Sequence, residues 1–205
     1  FNLKNRFDII IKNGSIADGT GNLLFKADIG ISGDRIEYIG DLSSGSSNII
    51  IDAKGKIVAP GFIDIHTHTD THLIVNPSGD SKLRQGITTE IGGNCGESVF
   101  PLDEDEVRDY EGSMKERHGI ECKWQSMNDF YNILERRKIA INYGTFVGNG
   151  NLRAVVVGRN DVRATSEQMT QMKKLLEEML SDGCMGLTSG LEYSPSSYAD
   201  TEELT

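Results

Sequence analysis

Two histidines separated by one residue are the strongest chemical signal in the sequence. His66 and His68 lie in the segment APGFIDIHTHTD, residues 59–70. If the two histidines lie at the end of a β-strand, the alternation of side chains places both imidazoles on the same face of that strand. Neutral imidazole is a common zinc ligand, and two neighbouring rings can share one divalent ion. The pair alone is a weak signal, because two such histidines more often lie in a polar loop, so other residues must decide its role.

The elements around these histidines alternate between strands and helices from about residue 60. Apolar periodicity predicts a buried strand at 62–66 and further strands at 87–93, 139–148 and 184–190. Helices are predicted at 78–85, 103–117, 126–137 and 166–182. The last helix is the clearest, because Thr165 and Gln168 fit a capping box. This alternation favours a parallel α/β sheet or barrel.

Chemistry-bearing residues recur just after each of these predicted strands. His66 and His68 follow the first strand and Cys95 follows the second. Asn149 and Asn151 follow the third strand, and the run from Ser189 to Tyr193 follows the fourth. In a barrel the active site lies at the carboxyl ends of the strands. The sequence therefore predicts one site at that edge.

Residues 1–58 have a different rhythm and form a predicted first domain. Short β-type runs (FDIIIKNG, LLFKADIGIS, RIEYIGD and NIIIDA) are separated by turns rich in Gly, Asn, Asp and Ser. We expect a small antiparallel sheet, with SSGSS at 43–47 as a surface loop. The second domain is predicted to run over residues 59–205.

Composition excludes several classes of function. The 205 residues carry a formal net charge of −10, which argues against partners such as nucleic acids or anionic membranes. Hydrophobic residues make up 37 %, enough for a packed core. No apolar run approaches the roughly 20 residues of a membrane helix, and no signal peptide is recognised. Three widely spaced cysteines do not form a disulfide framework and favour the cytoplasm.

Four motifs carry a resemblance to a known family. PGFIDIHTHTD resembles the first-strand motif of the amidohydrolase superfamily. QGITTEIGGNCGESVFP (85–101), FVGNGNLR (146–153) and GLTSGLEYSPSSYADTEEL (186–204) resemble the N-acyl-D-amino-acid deacylase (D-aminoacylase) group. The cysteine motif is the most specific of these, and the resemblance covers essentially the whole chain.

The resemblance implies a (β/α)8 barrel beside a small β-sandwich, with one or two zinc ions as cofactor. It implies that His66, His68 and Cys95 are metal ligands. Other amidohydrolases bridge their metals through a carboxylated lysine at the end of the fourth strand, whereas this chain has Leu187-Thr188-Ser189 there. The implied reaction is hydrolysis of the amide bond of N-acyl-D-amino acids, small-molecule substrates, by a metal-activated water.

The length suggests that part of the barrel is missing. Residues 59–205 supply about four β/α units, whereas a complete barrel takes roughly 200–250 residues. We therefore expect the N-terminal part of a larger enzyme, with the general base on a later strand and no catalytic residue among these 205. Alone, the chain is expected to be inactive, and its open strand edges favour association with further copies.

Other residues have weaker assignments. Tyr193 is a candidate substrate contact, and Asp64 is either a strand residue or a support for the histidines. Asp70 and His72 are expected to be surface or loop residues. Asn149 departs from the Gly-His-Gly that the family usually shows, which puts an acid–base or metal role there in doubt.

Two alternative functions remain open from the sequence. One is hydrolysis of cyclic amides, as in hydantoinase-like or dihydroorotase-like amidohydrolases. The absent lysine and the Asn-Cys-Gly motif argue against this reading. The other is a non-catalytic scaffold, which would need no zinc.

Overall fold

The computed structural model describes residues 6–205, so the first five residues of the predicted domain 1–58 lie outside it. The chain divides into two compact units, one ending at Pro60 and the other spanning Gly61–Thr205. The first unit contains only strands among its described residues. They are β1 (Arg6–Lys12), β2 (Ser15–Ile16), β3 (Phe25–Lys26), β4 (Asp28–Ser32), β5 (Arg35–Gly40), β6 (Ser46–Asp52) and β7 (Ile57–Val58).

The first unit has mixed sheets rather than the predicted antiparallel one. Its larger sheet has the order β5-β4-β1-β6, and the smaller has the order β3-β2-β7. β1 pairs antiparallel with β4 but parallel with β6, with Ile9 opposite Ile49. The antiparallel expectation is wrong for this pair because residues 41–45 carry the chain from β5 at one edge of the sheet to the opposite edge, where β6 runs beside β1 in the same direction.

Two local predictions in this unit also need correction. The predicted strand LLFKADIGIS is divided into β3 and β4, and β6 begins within the predicted loop SSGSS.

A small core of Phe7, Ile10 and Leu42 forms where the inward positions of the larger sheet meet the segment after β5.

The second unit alternates strands and helices, and it has an α/β fold. Its elements are β8 (Phe62–Asp64), α1 (His72–Val75), α2 (Asp80–Leu83), β9 (Ile87–Gly92), α3 (Glu104–His118), α4 (Met127–Arg137), β10 (Asn142–Thr145), β11 (Val147–Gly148), α5 (Asn149–Val156), α6 (Ser166–Ser181) and β12 (Leu187–Thr188). A short 3-10 helix follows at Ser196–Tyr198.

All strand pairs of this unit are parallel. β9 lies between β8 and β10, and β11 pairs with β12. The predicted third strand is divided into β10 and β11, and the predicted fourth shrinks to β12. The expectation that 62–66 is buried is wrong: Phe62 is 60 % exposed and Ile63 is 63 % exposed. Among residues 6–205, β8 is an edge strand that pairs only with β9.

The long helices agree with their predicted positions. α3, α4 and α6 each begin with a capping box, that of α6 being formed by Thr165 and Gln168 as predicted. The predicted helix at 78–85 shrinks to α2. The short α1 and α5 were not predicted, and α5 begins at Asn149, directly after β11.

The core of the second unit lies between these helices and the parallel strands. Trp124, Phe130 and Leu134 are almost completely buried in it, and Trp124 donates an indole N–H to the carbonyl of Val99 at 2.7 Å. This core supports the sheet whose strand ends carry the predicted site. In the described part of the chain, no helix combines the length and apolar character needed to cross a bilayer.

The same substitution at two leucines tests this core. Leu134 on α4 is 1 % exposed, whereas Leu180 on α6 is 41 % exposed. We expect Leu134→Ala to lower the free energy of unfolding by about 2–5 kcal/mol, because it leaves a cavity. Leu180→Ala should cost less than about 1 kcal/mol. Urea unfolding measures both, and equal losses would contradict this placement of the core.

Candidate metal centre

The three predicted ligands come together at the carboxyl edge of the parallel sheet. His66 and His68 follow β8 and Cys95 follows β9, so the parallel pairing brings their loops to the same edge. One ligand atom from each side chain lies within 4.8 Å of the others. Nε2 of His66 is 3.3 Å from Sγ of Cys95, and the two imidazole rings have centroids 5.7 Å apart.

This donor set fits a zinc ion. Zinc binds imidazole nitrogen at about 2.0 Å and thiolate sulfur at about 2.3 Å, so two such donors on one tetrahedral ion lie about 3.5 Å apart. The 3.3 Å between His66 and Cys95 is close to that separation. Both histidines are exposed and Cys95 is half-buried, which leaves the centre accessible to a small molecule.

The loop that carries Cys95 has an unusual backbone. We call residues 93–96 the cysteine loop. Gly93 has φ 70°, Cys95 φ 56° and Gly96 φ 77°. The left-handed region costs a residue with a Cβ roughly 1–2 kcal/mol, and such a conformation persists only where its surroundings enforce it.

Asp70 is one of the groups that enforce it. One of its carboxylate oxygens accepts the backbone N–H of Gly93 at 3.2 Å and the hydroxyl of Tyr143 at 2.5 Å. Burial raises the pKa of Asp70 above its usual value, although the hydrogen bond from Tyr143 opposes that shift. Burial and the Asp70 carboxylate raise the pKa of Tyr143 well above the usual 10.0.

Asp70 therefore links the histidine segment to the cysteine loop and is more than the surface or loop residue that the sequence suggested. The available signal was its position in the alternation Asp64, His66, His68, Asp70. That alternation does not reveal the hydrogen bond to Gly93, which depends on the sheet.

An ion network surrounds Asp64, two residues before His66. Lys82 on α2 contacts the Asp64 carboxylate at 2.9 Å and that of the fully buried Glu90 at 2.7 Å. Asp64 also accepts the backbone N–H of His66 at 3.3 Å. The hydrogen bond from Lys82 lowers the pKa of Asp64. Asp64 thus has the contacts expected of a residue that supports the histidines. The sequence analysis did not identify Lys82 and Glu90 as members of this network.

A cleft of about 220 Å³ adjoins the centre. Its lining includes His68, Asp70 and Tyr193, and the Tyr193 side chain is about half exposed. His72, expected on the surface or in a loop, begins α1 and also lines the cleft. Asn151 is a further lining residue.

Asn149 lies elsewhere in the unit. It is buried, accepts a hydrogen bond from the hydroxyl of Ser196 and donates one to Glu203 at 3.3 Å. These contacts give it a place in a buried polar cluster outside the three-ligand centre.

The comparisons with known proteins point to one family. The profile described as "Amidohydrolase family" matches residues 50–191. D-aminoacylase of Alcaligenes xylosoxydans xylosoxydans is 36% identical over 97% of this chain and 40% of its own length. N-acyl-D-glutamate deacylase of the same organism is 33% identical over 98% of this chain and 41% of its own.

A solved structure gives the same picture. N-acyl-D-glutamate deacylase from Bordetella bronchiseptica, crystallised with zinc and a phosphonate inhibitor, matches with a TM-score of 0.86 and 33% identity. The match covers 97% of this chain and 41% of that one. The chain thus spans about two fifths of the length of these relatives.

The left-handed backbone at Cys95 predicts an inverted order of stability for two variants. Without metal, Cys95→Gly should have a free energy of unfolding about 1 kcal/mol higher than Cys95→Ala, as measured by urea unfolding. The reason is that glycine adopts positive φ without strain. Cys122 has no positive φ, so there Cys122→Gly should be the less stable of the pair, by about 0.4–1 kcal/mol. The same order at both cysteines would contradict the strained loop.

Proposed function

Because the chain belongs to the amidohydrolase family, we propose that it forms the N-terminal part of a zinc-dependent N-acyl-D-amino-acid deacylase. The observation that carries the proposal is the convergence of His66, His68 and Cys95 within 4.8 Å at the carboxyl edge of a parallel sheet. Two deacylases, 36% and 33% identical over nearly the whole chain, support the substrate class.

The finer architecture belongs to the same proposal. Residues 59–205 would form the first half of a (β/α)8 barrel and residues 1–58 part of a β-sandwich. The order β8, β9, β10 of adjacent parallel strands, with helices between them, supports the barrel. The mixed sheets of the first unit fit a sandwich without requiring it.

His66, His68 and Cys95 would hold one or two zinc ions. When bound, zinc polarises a carbonyl oxygen and lowers the pKa of water, which is the chemistry that amide hydrolysis needs. Asp70 and Asp64 keep the ligand-bearing segments in place through their hydrogen bonds to Gly93 and His66. We assign the general base to a later part of the enzyme and the substrate contact to Tyr193.

Replacing one cysteine tests the metal centre in the full-length enzyme. Loss of a group that merely supports a ligand costs about 10–100-fold, so Cys95→Ala should lower kcat/KM for N-acetyl-D-amino acids by more than about 100-fold. Bound zinc should fall with it. The matched control is Cys122→Ala, since Cys122 is also half-buried but lies outside the three-ligand cluster.

Chelation should abolish the wild-type activity and zinc should restore it. Wild-type zinc content and turnover in Cys95→Ala would remove Cys95 from the site. Turnover of hydantoins with none of N-acetyl-D-amino acids would favour the cyclic-amide alternative.

Tyr193 is tested through substrate binding. If its hydroxyl contacts the substrate, Tyr193→Phe should raise KM about two- to tenfold, the range of one hydrogen bond, with zinc content unchanged. Leu191→Ala is the control, because Leu191 is equally exposed at 52 % and lies outside the cleft. An unchanged KM in Tyr193→Phe would leave the hydroxyl without a role.

A further inference from the structure

We propose that Thr188, at the end of β12, is a positioning residue that holds the cysteine loop in the conformation in which Cys95 faces the histidines. The inference rests on the proposed metal centre. The hydroxyl of Thr188 bonds to the backbone before and after Cys95 and to none of the three ligand side chains.

The hydroxyl of Thr188 bridges the two ends of the cysteine loop. It donates to the carbonyl of Gly93 at 2.6 Å and accepts the N–H of Gly96 at 3.3 Å. Both partners are buried. A single side chain from a distant strand therefore fixes the residues before and after the Asn94-Cys95 pair.

The loop is enclosed on the same side by the chain that follows β12. A Cβ on Gly190 would overlap the carbonyl group of Cys95, so the two backbones are in direct contact. The N–H of Gly150 donates to the carbonyl of Gly96 at 2.9 Å. On the other side, Asp70 holds the N–H of Gly93. Of the residues that the structure describes, Thr188 supplies the side chain that bonds to both Gly93 and Gly96.

The strained backbone explains why such a clamp is needed. Cys95 would leave its positive φ if the loop were released, since most other conformations are lower in energy. Relaxation at this residue rotates the direction of its Cβ and carries Sγ away from His66. A clamp on the flanking carbonyl and N–H prevents that rotation without occupying a coordination position.

Two variants separate the hydroxyl from the packing. Thr188→Val removes both hydrogen bonds and keeps the branched shape, whereas Thr188→Ser keeps the hydroxyl. Co²⁺ titration of the full-length protein reports the site, because a cobalt–thiolate bond gives a charge-transfer absorption that Cys95→Ala must lack. Zinc affinity follows from competition with a chelator.

We expect Thr188→Val to bind zinc about 10-fold or more weakly, in the range for groups that orient metal ligands, with a weakened charge-transfer band. Thr188→Ser should stay within about threefold of wild type. Far-UV circular dichroism checks folding. If Thr188→Val does not fold, the smaller Thr188→Ala must show the same loss of affinity.

The outcomes separate the two proposals. No thiolate band in the wild-type protein would overturn the proposed metal centre itself. A normal band in wild type, with wild-type affinity in Thr188→Val or in a folded Thr188→Ala, would overturn the role of Thr188 and leave the centre standing. A loss of zinc affinity in Thr188→Ser as large as that in Thr188→Val would also overturn the role of the hydroxyl, because the serine variant keeps it.

Discussion

The candidate centre depends on the parallel pairing of β8 with β9. Ile63 lies opposite Thr89 and Asp64 opposite Glu90, and beyond the end of β8 the N–H of Thr67 still donates to the carbonyl of Ile91 in β9 at 3.2 Å. Parallel strands end at the same edge, so the segments that leave them emerge side by side. For this reason the histidines meet Cys95, although His66 and Cys95 are 29 residues apart in the sequence.

Pairing brings the segments together, but hydrogen bonds to the backbone set the position of the thiol. The cysteine loop holds three residues at positive φ, one of them with a side chain. Asp70 and Thr188 bond to opposite sides of Gly93. A conformation that is unfavourable in isolation and fixed by several partners is typical of functional loops. The positive φ lowers the local stability of the loop, and it fixes the direction of the Cys95 side chain.

The sequence predicted those features that local chemistry determines. Helix α6 and its capping box follow from Thr165 and Gln168, and the three ligand candidates follow from residue type and position after strands. The parallel β1–β6 pair, the helix that begins at Asn149 and the Lys82–Glu90 contact were missed. The strand pair and the ion contact depend on how separate segments come together, as in Lys82, whose two carboxylate partners lie on different strands. Periodicity carries no information on such distances.

The exposed apolar residues in and just after β8 show which forces hold the histidine segment. Phe62, Ile63 and Ile65 are each at least 60 % exposed, so burial of these side chains contributes little to the position of the strand. Its position is set by the ladder to β9 and by Asp64, which is tied to Lys82 and through it to the buried Glu90. A buried carboxylate is strongly destabilising without a partner, so Glu90 fixes Lys82, and Lys82 in turn fixes the residue two positions before His66. The first ligand is thus located by directional polar contacts, which tolerate less displacement than apolar packing.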